Sequence, residues 1–585
     1  MWRFVWLSLH LLAIVKGKPI TRSSDPTPSA DPVLSLPYAN YRGYHNTTSN
    51  LYIFKSIRYA ADTSGRNRWR EAQPPSKEFD AGIQDATQWP KQCPQATNGG
   101  VVSKDQYSPL QEIDDEDCLY LSAWIPDAIA IGEKDKHDSR NMGHDGKEQN
   151  QLLPVLVWIH GGGWDHNSAR EFDQTPLINS TGNAFIGITI QYRLGVFGFL
   201  SHPDMAQSNG LNAGITDARA ALRWVQEYVH LLGGDKDRVT IWGQSAGGGT
   251  VGHLIAAEAA KEGLGKKERL FSSAVLSSPY FVPMGSCSDS FWRDQFHDFS
   301  SKANCTGDLE CVRQQSTDVL KVLNHELYVS FNYSGRPSLF EPCVEGPGGY
   351  LQYNTVEQFV NGKVAGNAVI VGSNYADGST FVSTTLRVPD NVTNVAEEAD
   401  DRLAAILKKD WPLTDDQVSA ALSLYPLEAF TDNYERGGVI FTDAVFACAS
   451  NWLADAFSQN GYRYLYAVAD AIHARDNAYE FPFFYNTLSP YSPTFYQSYI
   501  GSVTSFILSG PKKASPNSLQ SASIIQKEGT WPAFSDKGEY KVLNLTRDAA
   551  TGTNVTSGYV GSGSVRVGTD ERCEFWKQVR MSGGW

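Results

Sequence analysis

Three side chains of this 585-residue chain have the types and surroundings for nucleophilic catalysis: Ser245, Asp377 and His473. Ser245 lies in Gly243-Gln244-Ser245-Ala246-Gly247, after the apolar run Val239-Thr240-Ile241-Trp242 and before 251–260, a stretch rich in helix formers. Gly-x-Ser-x-Gly between a strand and a helix sets a serine on a sharp, strained turn. Its hydroxyl then stands clear of the backbone, at a helix N-terminus whose free N–H groups can face a developing oxyanion. Alone, the pattern reads better as a Gly-Ser turn before a helix. A serine at its ordinary pKa is also a poor nucleophile, so it needs a base, and the base needs an orienting acid. After such an elbow the acid and then the base follow in chain order, each on a loop beyond a strand. Among twelve histidines, His473 is the only one after His325, and it sits just past the strand-like 462–468. Asp377 follows the apolar run 368–372 and precedes Gly378, which reads equally as an Asp-Gly turn. Asp476 and Glu480 are local rivals, but they follow the base and break the order. His160-Gly161-Gly162-Gly163, directly after seven apolar residues, offers glycine backbone whose N–H groups can approach a carbonyl oxygen closely.

Such side chains need a sheet to bring them together. The strand-like runs 153–159, 184–191 and the elbow strand alternate with helical periodicity over 212–232. There Ala221, Leu222, Trp224, Val225 and Val229 share a face, and Gly233-Gly234 ends the pattern. This alternation predicts an α/β fold with a doubly wound sheet and parallel central strands. Residues 41–57 suit a hairpin, and 118–125, 274–276, 368–372 and 462–468 further strands. Much of 287–340 and 395–460 reads as helix, and the chain beyond His473 as helix and loop up to a final 573–576 segment. Residues 18 to about 40 form a Pro/Ser/Asp-rich arm, and 127–151 a charged, mobile surface insertion with little apolar content.

Composition narrows the partners. Hydrophobic content of 41 % fits a globular protein, and a formal charge of -14 disfavours nucleic acid and anionic membranes. Met1-Trp2-Arg3, a short apolar core and Val15-Lys16-Gly17 make residues 1–17 a secretory signal peptide, too short to span a bilayer. With no later apolar run of that kind and no GPI-type tail, the expectation is a secreted protein without a membrane anchor. Sequons at Asn46, Asn179, Asn304, Asn332, Asn391, Asn544 and Asn554 suit a glycosylated surface, and eight cysteines, an even number, suit a disulfide-permissive compartment.

The chain resembles the type-B carboxylesterase/lipase family, which includes cholinesterases and secreted fungal esterases and lipases. The resemblance rests on Glu116-Asp117-Cys118-Leu119-Tyr120-Leu121, Val157 to Gly163, Tyr192-Arg193-Leu194-Gly195 to Leu200, Asn212-Ala213-Gly214-Ile215-Thr216-Asp217, and Gly233 to Gly248. It implies a single large α/β-hydrolase domain over 18–585, with a mixed, mostly parallel central sheet and helices on both faces. It implies Ser245 as nucleophile, His473 as base and Asp377 as acid, with the N–H groups of Gly162, Gly163 and Ala246 as oxyanion hole. It also implies disulfides Cys93–Cys118, Cys305–Cys311 and Cys448–Cys573, leaving Cys287 and Cys343 as a fourth pair, and ion pairs Arg68–Glu116 and Arg193–Asp217. A soluble carboxylic ester is the implied substrate, with no cofactor or metal; the oligomeric state stays open. Three departures bear on specificity. The family's usual acid is Glu, the usual residue at 244 is Glu, and the loop between Cys93 and Cys118 holds no Trp, whereas cholinesterases stack a quaternary ammonium on one there. These argue against a cholinesterase, and the polar Ser103-Lys104-Asp105-Gln106 in that loop argues for soluble esters over lipid droplets. The alternatives are a lipase with an interfacial substrate and a non-catalytic adhesion module.

Overall fold

A strand in which nearly every residue is apolar must be covered on both faces. In Leu153–Ile159, Val155, Val157 and Ile159 enter one core, while Leu156 and Trp158 enter a second. The computed structural model places this strand inside a large sheet. It describes residues 31–77, 81–97, 108–129, 152–263, 268–331, 338–387, 395–411, 413–468, 471–481, 493–510, 514–517, 530–546, 554–561 and 567–584. The strands are β1 Val33–Ser35, β2 Asn40–Arg42, β3 Tyr44–Asn46, β4 Leu51–Arg58, β5 Ile83–Asp85, β6 Tyr120–Pro126 and β7 Leu153–Ile159. They continue as β8 Ile186–Ile190, β9 Gly234–Gln244, β10 Ser273–Ser277, β11 Ala368–Asn374, β12 Gly461–Tyr466, β13 Glu539–Thr546 and β14 Asn554–Gly561.

Eleven of them form one sheet in the order β14-β13-β12-β11-β10-β9-β7-β8-β6-β4-β3, and β1-β2-β5 form a small second sheet. From β13 to β8 all neighbours are parallel; β14 at one margin and β6, β4 and β3 at the other are antiparallel. Helices Ala213–Tyr228, Ala246–Gly263 and Cys448–Ala456 cover one face, through Leu222, Val251, Leu254 and Leu453. Thr175–Asn179 and Pro493–Leu508 cover the other, through Leu177, Tyr499, Ile500 and Val503. This is the mixed, mostly parallel α/β sheet expected.

Register decides where the loops emerge. Gln244 pairs with Ser277, Ser277 with Gly372 and Asn374 with Tyr466, so the C-terminal ends of β9, β10, β11 and β12 lie at one edge. Loops leaving that edge hold Ser245, Asp377 and His473, which follow β9, β11 and β12.

Four disulfides join Cys93–Cys118, Cys287–Cys343, Cys305–Cys311 and Cys448–Cys573. Arg68 and Arg193 form buried ion pairs with Glu116 and Asp217 at 2.6 and 2.7 Å.

Several local expectations change. β9 begins at Gly234, because it pairs with β7 from the Leu153–Gly234 match onward. Part of the N-terminal arm is ordered, Val33–Ser35 pairing with β2. The helical region 395–460 is Val395–Asp410, Asp415–Leu424 and Asn433–Phe441, then a π-helical Thr442–Ala447 running into Cys448–Ala456. Strands β13 and β14, read as helix and loop, form a hairpin with eight paired residues on each side. Their polar and glycine content hid them, and a distant partner, β12, completes the pairing. The proposed leader 1–17 and all but the first residues of the 127–151 insertion lie outside the described residues.

Candidate active site

At the elbow, β9 ends at Gln244 and the helix Ala246–Gly263 begins one residue beyond Ser245. Ser245 itself has φ 58°, a left-handed conformation that side-chain-bearing residues rarely adopt. The two glycines make the turn possible by close approach. A Cβ on Gly243 would lie 2.4 Å from the Gly247 backbone, and one on Gly247 2.1 Å from the Ile159 carbonyl oxygen. Further non-glycine residues with positive φ belong to the adjoining loops, among them Trp164 at 60° and Ala474 at 64°.

The geometry brings the three sequence-singled residues together. His473 Nε2 lies 2.7 Å from Ser245 Oγ, and His473 Nδ1 lies 2.8 Å from Asp377 Oδ1. Asp377 is fully buried at the start of a 3-10 turn, Asp377–Thr380, whose backbone carries its short side chain to the ring. Two contacts hold that turn. The Asn374 N–H donates to Asp377 Oδ2 at 2.7 Å, and the Gly378 N–H donates to Thr442 Oγ1 at 2.9 Å. The Asn374 side chain also ties the Asp377 loop to the His473 loop, donating from Nδ2 to the Ile472 carbonyl at 2.8 Å and to Asp476 Oδ1 at 3.2 Å. The Phe381 and Phe446 rings pack on the imidazole at 5.0 and 4.9 Å.

The glycine loop lies against Ser245. A Cβ on Gly161 would come within 3.0 Å of Ser245 Cβ. Gly162, at φ 108°, accepts from the N–H groups of Asp165 and His166 through its carbonyl, which fixes the turn. Among the described residues, the N–H groups of Gly162, Gly163 and Ala246 donate to no other protein group. Burial lowers the His160 pKa to about 4, so the ring is neutral; it stacks on Tyr192, whose hydroxyl donates to the His160 carbonyl.

The two rival acids occupy a different position. Asp476 Oδ2 accepts from Tyr464, and Glu480 Oε1 accepts from Ser277 and Tyr499, so neither carboxylate takes the Nδ1 contact. Burial first, and the charge of Asp377 second, raise Asp476 to about 6. Burial raises Glu480 well above its ordinary value. Asn374, Thr442 and the two phenylalanines carried no signal in the sequence beyond their types. Of the sequons, Asn179 and Asn304 are exposed, Asn46 is half-buried, Asn544 and Asn554 lie in β13 and β14, and Asn332 and Asn391 are outside the described residues.

Residues 30–576 match the model of the carboxylesterase family. A secreted lipase of Arthroderma benhamiae is 28 % identical over 88 % of this chain and 91 % of its own. Carboxylesterase patB of Penicillium expansum is 25 % identical over 94 % and 96 %. Among solved structures, Aspergillus niger EstA superposes with a TM-score of 0.75 at 23 % identity, covering 95 % of this chain and 99 % of that one.

Proposed function

The chain belongs to the carboxylesterase family and is a carboxylic ester hydrolase; on that premise we propose that it works through an acyl-enzyme on Ser245, outside the cell, on soluble uncharged esters. The observation that carries this reading is the unbroken chain from Ser245 Oγ to His473 Nε2 and from His473 Nδ1 to Asp377. As the Ser245 oxygen attacks the ester carbonyl, its proton passes to His473 Nε2. Asp377 accepts the Nδ1–H, fixes the tautomer and stabilises the imidazolium that forms. The N–H groups of Gly162, Gly163 and Ala246 receive the oxyanion; one such donor is typically worth about 3–4 kcal/mol. His473 then returns the proton to the departing alcohol, leaving an acyl ester on Ser245. Water, deprotonated by the same nitrogen, clears that ester and restores the serine.

Uncharged substrates are favoured because the residue beside the nucleophile is the neutral Gln244, which offers nothing to a cationic alcohol. Extracellular location is supported by the leader-like N-terminus, seven sequons and four disulfides. Ser245→Ala should abolish turnover of p-nitrophenyl acetate and the mass adduct left by an organophosphate, with far-UV circular dichroism unchanged. Retained turnover would refute the assignment. A rate that climbs sharply once a triglyceride passes its solubility limit would replace the soluble ester with an interfacial one.

A further inference from the structure

The residue next to the nucleophile also touches the reacting nitrogen of the base. Gln244 is buried, and its Nε2 lies 3.3 Å from His473 Nε2, the nitrogen that also faces Ser245 Oγ. Its other end is engaged as well: Asn477 Nδ2 donates to Gln244 Oε1 at 3.3 Å. Asn477, itself buried, stands four residues after His473 in the short helix Asn477–Glu480, so one loop supplies both the base and the group that orients Gln244. The glutamine is wedged from the far side by the glycine loop. A Cβ on Gly161 would lie 2.6 Å from the Gln244 carbonyl oxygen and 3.0 Å from its Oε1.

From this arrangement we propose that Gln244, held by Asn477 with its NH2 toward His473, keeps the reacting nitrogen in its proton-accepting form and so lets the base work at acid pH. This rests on the serine mechanism proposed above. An amide has a donor end and an acceptor end, and the two ends bias the imidazole oppositely. A donor facing Nε2 favours the lone pair there; an acceptor, and a carboxylate far more, favours an N–H and the cation. Before any substrate can be attacked, Nε2 must hold a lone pair, because it receives the serine proton. Acidic groups already stand near the ring. Asp377 sits at 2.8 Å from Nδ1, and the buried Asp476 follows on the base's own loop. The other packed elements bring the Phe381 and Phe446 rings, which carry no charge. A carboxylate at position 244 would hold the ring protonated to higher pH, whereas an oriented amide pulls the other way. Asn477 makes the difference between the two amide orientations. With its NH2 against Oε1, turning Gln244 round would set two donors against each other. Gln244 thus touches the reacting atom, and Asn477 acts through it as a positioning residue.

The test is the pH profile of kcat/KM on p-nitrophenyl acetate, whose acid limb reports the free enzyme's base. Gln244→Glu should move that limb up by about one pH unit, a roughly tenfold loss in kcat/KM on the acid side. Asn477→Leu leaves the net charge untouched and frees Gln244 to turn its oxygen toward the ring. It should give the same direction of shift, with about a threefold loss on the acid side. Should Asn477→Leu fail to fold, Asn477→Ala carries the test, because it too removes the donor to Gln244 Oε1 and adds no charge. An acid limb that stays in place in Gln244→Glu, or in the folded position-477 variant, overturns the proposal. Turnover surviving in Ser245→Ala sinks the serine mechanism instead, so the two failures are told apart.

Discussion

Asparagine at position 377 separates the acid's charge from its shape. The Asn374 N–H donates to Asp377 Oδ2 at 2.7 Å, so an asparagine there settles with its oxygen toward Asn374 and its NH2 toward His473 Nδ1. Nδ1 must then accept, the ring proton moves to Nε2, and the ring offers Ser245 a donor where it needs a lone pair. On the proposed mechanism, Asp377→Asn lowers kcat by about 10⁴, as the same change does in serine-protease triads, while the melting temperature stays near that of the parent. A loss below tenfold in steady-state assay would remove Asp377 from the acid's role. Asp476 offers no substitute, since Asn374 and Tyr464 already engage it. Chain order alone preferred Asp377 over Asp476, because an acid after the base fits no strand-end loop between elbow and histidine. Chain order could not single out Asn374. Its two contacts depend on β11 and β12 running side by side, with Asn374 against Tyr466, and its bond to Ile472 spans 98 positions.

The elements that hold the acid in place include one irregular helix. Asn433–Phe441 passes into the π-helical Thr442–Ala447, which carries both Thr442, under the Asp377 turn, and Phe446, against the imidazole. Such π segments often mark functional sites because the wider turn redirects side chains. Thr442→Val keeps the side chain's shape and deletes the acceptor for the buried Gly378 N–H. That leaves a buried donor unpaired, which costs about 1–3 kcal/mol. The expected result is a lower midpoint in guanidinium and a reduced kcat, smaller than the loss in Asp377→Asn; an unchanged midpoint and kcat would show that the turn docks without this bond. A period of 3.6 residues reveals a helix but not an added residue in one turn, so the sequence reads 395–460 as helix and misses its bend in pitch. By contrast β7, β10 and β11 were legible because each is an unbroken buried run flanked by turn residues. At β13 and β14, Lys541, Asn544 and Ser557 interrupt any such run, and only pairing with β12 reveals them.

Across the whole molecule, the disulfides close loops of very different length, and that length predicts their worth. Cys305–Cys311 are six positions apart, whereas Cys448–Cys573 are 125 apart. The second bond fastens the C-terminal helix Asp570–Val579 to Cys448–Ala456, the helix that follows the π segment and packs on β11 and β12. Restricting the unfolded chain over so long a loop contributes about 5 kcal/mol in the chain-entropy account, against about 2 kcal/mol for the short one. The site depends on this closure indirectly, since Thr442 and Phe446 lie on the continuous helical stretch that the bond anchors. Large disulfide-bonded proteins tend to unfold irreversibly, so the half-life of activity at a fixed elevated temperature is the usable measure. Cys448→Ser/Cys573→Ser should shorten that half-life far more than Cys305→Ser/Cys311→Ser. Equal losses would mean that local packing around each bridge, and not the constraint on the unfolded chain, sets what the bond is worth.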